Sequence, residues 1–169
     1  MSANLIVFII LAVVAVGTAL GMLFTRNAVY SALYLILNFI TVAFFYLTLS
    51  APFIAISQVT VYAGAIMVLF LFVIMLLGAE SVGRIPGRWW YQPAALLLGF
   101  VLLLETGFIF ITQRDLMPGA AALPPGFGSP LAIGRELFIH YLLPFEATSV
   151  LLLAALVGAI VLTQREKKD

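Results

Sequence analysis

The chain has 169 residues, of which 64% are hydrophobic and 9% charged, whereas an average soluble domain is roughly a quarter charged. Seven acids and eight bases are too few to cover a water-soluble globule of this length, so lipid must replace water around most of it. A net charge of +1 suggests neither nucleic acid nor an acidic ligand as partner; the absence of cysteine excludes thiolate-held zinc and iron–sulfur ligation, and one histidine, His140, cannot alone build a haem or metal site.

The first apolar stretch, Ala3 to Phe24, follows no basic segment and precedes no small-residue cleavage site, so it reads as a membrane span and not as a removed signal. Such a span needs about 20 apolar residues to cross roughly 30 Å of hydrocarbon. Asn27 to Ala79 contains no charged residue, and as one helix it would reach about 80 Å, so it must turn back once. Ser50-Ala51-Pro52 is the expected turn, because proline lacks an N–H and disfavours helix in the residue before it. The second and third spans are then Ala28 to Leu49 and Phe53 to Leu77.

A polar break follows from Gly78 to Gln92, holding Glu80, Arg84 and Arg88, with Trp89, Trp90 and Tyr91 as an interfacial aromatic belt. The fourth span is predicted from Pro93 to Thr112. Arg114 to Glu136, interrupted by Pro118, Pro124, Pro125 and Pro130, reads as one long loop. The last apolar run, Leu137 to Thr163, reaches lipid depth from Tyr141 to Thr163. The reading is an all-α polytopic membrane protein with five transmembrane helices in a single membrane domain over residues 1–169. An N-out, C-in arrangement places Arg26, Arg84, Arg88, Arg165, Lys167 and Lys168 inside and only Arg114 and Arg135 outside, as the distribution of basic residues favours. No convincing internal repeat is present, and five spans do not divide into two inverted halves, which disfavours a self-contained transporter of that design.

The strongest local signal is Gln58-Val59-Thr60-Val61-Tyr62-Ala63-Gly64-Ala65-Ile66 in the third span. It places a phenol beside helix with almost no side-chain cover, where a neighbouring backbone can approach and glycine weakens the local helix. Two readings stay open: a packing notch, or a deformable turn such as a π-bulge that switches register near a proton path. Glu105, about 18 Å along the helix from Pro93, sits near the bilayer midplane, where an acid must be paired, protonated or wet. It reads either as a relay carboxylate or as a neutral acid bonded to a neighbouring subunit. Glu146, roughly 8 Å inside the last span, can reach interfacial water. Asn38 and Thr60 are polar residues suited to bridging helices, and His140 beside Tyr141 suits an interfacial anchor.

Tyr62-Ala63-Gly64-Ala65-Ile66, continued by Met67 to Leu77, closely resembles the third helix of the subunit J family of bacterial NADH-quinone oxidoreductase, the chain 6 family of mitochondrial complex I. Arg26-Asn27-Ala28-Val29-Tyr30-Ser31-Ala32-Leu33 resembles that family's first loop and second-helix start, and Leu151-Leu152-Leu153-Ala154-Ala155-Leu156-Val157 its fifth helix. The resemblance covers roughly the first 80 residues and the last 30. It implies a bacterial inner (plasma) membrane protein, surrounded by lipid and by other membrane-arm subunits of complex I, with no redox centre of its own; NADH, flavin, iron–sulfur clusters and quinone would be bound by partner subunits. It further implies a π-bulge around Tyr62, Ala63, Gly64 and Ala65 whose rotation or straightening opens and closes a water path between quinone reduction and the pump modules. Some relatives have glutamate where this chain has Gln58, which cannot release a proton at ordinary pH. An acid occupies the place of Glu146 in the family; Glu105 is no part of its pattern. An equivalent subunit of a complex fed by ferredoxin or another donor, a small autonomous transporter, and a structural scaffold are the competing readings.

Overall fold

The computed structural model describes residues 2–78, 91–112, 124 and 126–164. Glu80, Arg84, Arg88, Trp89, Trp90, Arg114 and the basic C-terminal residues lie outside the described residues. Every regular element among the described residues is helical: α1 (Ser2–Phe24), α2 (Ala28–Thr48), α3 (Pro52–Ser57), a π-helical segment (Gln58–Ile66), α4 (Met67–Leu77), α5 (Tyr91–Thr112), α6 (Pro130–Ile139) and α7 (Leu142–Thr163). α3, the π-helical segment and α4 follow without a break, forming one apolar rod, Pro52–Leu77. That rod, Ala3–Phe24, Ala28–Thr48 and Leu142–Thr163 are each long and apolar enough to cross a membrane, and α5 contributes a shorter apolar stretch, Pro93–Ile109.

Helix ends follow local chemistry. Asn27 caps α2, its Oδ1 accepting the Val29 N–H at 2.9 Å. α2 ends in a Schellman turn: the Ser50 N–H donates to Leu47 O at 3.1 Å and the Ala51 N–H to Tyr46 O at 2.9 Å. Ser50 therefore takes the left-handed conformation (φ 59°) that glycine usually fills, at a cost of about 1–2 kcal/mol for an L-residue. Pro52 opens the third rod at a position where a missing N–H is harmless.

The described bundle is α1, α2 and the third rod, which meet through small residues. Ala32, Ala43, Ala55 and Ala63 are buried with Met67, Thr18 and Thr41, while long aliphatic side chains point outward. In lipid, outward apolar groups gain nothing by burial, and close backbone approach decides which faces meet. Asn38 bridges α1 and α2, its Nδ2 donating to Ala15 O at 2.9 Å and to Thr18 Oγ1 at 3.0 Å. Such bonds contribute about 0.6–2 kcal/mol each in a bilayer. Ser31 Oγ donates to Met22 O at 3.0 Å. At Gly21 an added Cβ would lie 2.7 Å from the Tyr34 ring, so the bare glycine makes room for that ring between the two helices.

One element departs from the sequence reading. The expected loop Arg114 to Glu136 holds the start of α6, which is capped by Ser129 Oγ accepting the Ala132 N–H at 3.3 Å, with Pro130 in its first turn. α6 ends at the His140–Tyr141 step, where both residues' N–H groups return to Glu136 O at 2.9 and 3.2 Å. The apolar run that began at Leu137 is thereby divided. α7 packs only on α6, and α5 packs on no other helix among the described residues.

Candidate functional site

The π-helical segment lies midway along the third rod, against α2. Its widened ladder is visible at its end, where the Met67 N–H reaches Tyr62 O, five residues back, and also Gly64 O. A π turn carries one residue more than the regular ladder accommodates. Gly64 suits that geometry: a Cβ there would stand 3.2 Å from Val59 O, the carbonyl five residues earlier, so any side chain crowds the widened turn itself.

Ala63 and Met67 turn inward onto α2 at 8% and 3% exposure. Tyr62 is half exposed, and its ring meets Phe39 of α2 edge to face, with centroids 5.8 Å apart and planes at 69°. Such pairs contribute about 0.5–1.5 kcal/mol beyond area burial. Two hollows flank this contact along the seam. One, of about 430 Å³, is bordered by Ile40, Ala43 and Phe44 of α2 and by Ala55, Val59 and Thr60. The other, of about 280 Å³, is bordered by Met22, Ser31, Ala32, Met67, Phe70 and Ile74. In register along both helices, Phe39 and Tyr62 stand between the residues that line the two.

Gln58, Tyr62, Ala63, Gly64 and Ala65 are thus brought together on one segment; Gln58 is half-buried and Ala65 exposed. The two carboxylates are not brought to them. Glu105 is exposed on α5. Glu146 is exposed one turn into α7, where its backbone carbonyl accepts the Ser149 hydroxyl at 2.7 Å. Thr60 borders the larger hollow and makes no interhelical hydrogen bond among the described residues. His140 Nδ1 lies 2.8 Å from Glu136 Oε2, both side chains being exposed on α6 and its cap. No group of three or more metal-ligating side chains occurs among the described residues. Sequence reasoning missed Phe39; the signal available was its place in the series Leu35, Phe39, Ala43, each four residues from the next and ending in a small residue.

Residues 18–162 match the family NADH-ubiquinone/plastoquinone oxidoreductase chain 6. The chain belongs to this family. It is 42% identical over 162 residues to the NAD(P)H-quinone oxidoreductase chain 6 of Synechocystis sp., covering 94% of this chain and 80% of the relative. It is 36% identical over 166 residues to the NADH-quinone oxidoreductase subunit J of Rhodobacter capsulatus, covering 96% and 82%. To the chloroplastic NAD(P)H-quinone oxidoreductase subunit 6 of Zygnema circumcarinatum it is 37% identical over 172 residues, covering 98% and 95%. Within the chain 6 family match lie α2, the whole third rod, α5, α6 and nearly all of α7, and therefore Gln58, Tyr62, Gly64, Glu105 and Glu146.

Proposed function

We propose that this chain is a membrane-arm subunit of a proton-translocating NADH-quinone oxidoreductase, and that its third rod is a conformational gate coupling quinone reduction to proton pumping. Family membership supports the first half. The observation that carries the second is the π-helical segment Gln58–Ile66, set with a bare Gly64 between two hollows that the Phe39–Tyr62 contact separates. Returning that segment to α geometry rotates Met67–Leu77 by roughly 100° relative to α3, a consequence of 3.6 residues per turn. Phe70 and Phe72 then swing, the hollow beside Met67 changes shape, and a file of water across the seam forms or breaks. The chain binds no NADH, flavin, iron–sulfur cluster or quinone; those belong to partner subunits, and this chain contributes motion.

α5 supplies a fifth crossing through Pro93–Ile109, and the five spans form one membrane domain in a bacterial inner membrane. α5 and α7, which expose long apolar side chains and are nearly free of contacts with the rest of the described chain, suit packing against helices of other subunits. Partner dependence follows. The purified chain in liposomes is expected to oxidise no NADH and to take up no substrate, whereas restoring it to membranes that lack it restores quinone-linked pumping. Uptake or dehydrogenase activity by the contaminant-free chain would end the subunit reading.

Orientation is open to a direct test because the sequence contains no cysteine. With the basic residues biased inward, Leu131→Cys on exposed α6 should react with an impermeant thiol reagent from outside, and Gln164→Cys only after the membrane is opened. The reverse pattern would invert the topology.

A further inference from the structure

Gly128 is buried in a segment whose neighbours Phe127 and Pro130 are exposed. It lies against the α2–α3 turn so closely that a Cβ would come within 2.6 Å of Ala51 Cα and nearer still to Ser50 O. Its carbonyl accepts the Phe53 N–H at 3.2 Å. Phe53 is the second residue of the third rod, where an N–H has no intrahelical partner, and no side chain caps this end. A carbonyl more than 70 residues away in sequence therefore provides the cap that the local sequence omits. The same short segment starts α6 through Ser129 Oγ and is closed on itself by the Ser129 N–H donating to Gly126 O at 2.9 Å, with Gly126 at φ 80°.

We propose that Gly128 is a positioning residue for the gate: its backbone clamps the start of the third rod to the segment before α6, so that a register change in Gln58–Ile66 is delivered to Met67–Leu77. A helix that loses a π turn must rotate at one end or the other. With Phe53 bonded to Gly128, and with the Schellman turn behind it fixing Ser50 and Ala51, the α3 end is held on both sides. At the other end, α4 finishes at Gly78 with no such bond among the described residues. Glycine at 128 is required because only a residue without Cβ brings its carbonyl to Phe53 past the Ser50–Ala51 backbone.

The clamp rests on the reading of the third rod as a gate, and residue-resolved hydrogen exchange on the complete complex separates the two. In the native complex, with and without a quinone-site inhibitor, the Phe53 amide should exchange as slowly as that of Ala55, whose N–H makes the first helical bond to the O of the cap residue Ala51, and equally in both states. Amides of Gln58–Leu77 should differ between states. Phe53 exchanging as a free amide, or changing with state, overturns the clamp; Phe53 protected while Gln58–Leu77 is indifferent to state overturns the gate and, with it, the role of Gly128. In the complex carrying Gly128→Ala, loss of one hydrogen bond should speed Phe53 exchange by roughly fivefold or more, and protons moved per quinone reduced should fall while detergent quinone reductase turnover is retained. Faster exchange with a normal proton ratio would leave Gly128 a structural cap only and overturn the positioning role. If that variant does not assemble, the native comparison decides.

Discussion

Gly64→Val is expected to lower pumping-coupled quinone reduction by roughly 5- to 150-fold in a complex that still assembles, the range that follows from biasing one conformation by about 1–3 kcal/mol. The geometry gives the sign. A Cβ at Gly64 already stands 3.2 Å from Val59 O, and valine adds a second branch that crowds the preceding turn. The widened turn is then the disfavoured state, so the rod is held toward the α register and cannot cycle. Tyr62→Phe should be far milder, less than about threefold, because the edge-to-face contact with Phe39 survives and only the hydroxyl is lost. Proton uptake and quinone reduction measured together in proteoliposomes check the ordering. Full pumping by Gly64→Val at the normal ratio would reduce the Ala63-Gly64-Ala65 face to a packing notch.

Glu105→Gln is expected to leave quinone reduction within about twofold of normal while lowering protons moved per quinone, if the acid is a relay. A carboxylate in mid-membrane costs about 2.5–3.5 kcal/mol unless it faces protein or water. Among the described residues nothing provides that company, since α5 touches no other helix there and Glu105 is exposed. Glutamine keeps the size and the hydrogen bonding and removes only the proton. A normal ratio would assign Glu105 to subunit packing instead.

Composition made the lipid environment legible, and Pro52 and Asn27 made the ends of two helices legible, because those signals are local and chemical. Gly64 and Tyr62 were legible as a pair for the same reason: a bare stretch of helix beside a phenol is visible in the residues themselves. Which faces meet was not legible. A soluble helix announces its buried side by an apolar stripe, but α1 and α4 are apolar nearly all round, so no period distinguishes the face toward α2 from the face toward lipid. The Phe39–Tyr62 contact therefore emerged only with the fold. α6 was hidden by the density of prolines before it, although Ser129-Pro130 carries the signature of a helix start. The bond from Phe53 to Gly128 spans most of the chain through backbone atoms alone, and backbone atoms leave no trace in sequence beyond the choice of glycine.

The most direct test of the third rod as a gate is electron cryo-microscopy of the complete complex in two states, quinone-free and turning over. A gate predicts that Gln58–Ile66 is π-helical in one population and α-helical in the other, with Phe70 and Phe72 rotated by roughly 100° between them and α3 unmoved at Phe53. A segment that keeps the same π ladder and the same Phe70 orientation in every population would contradict it.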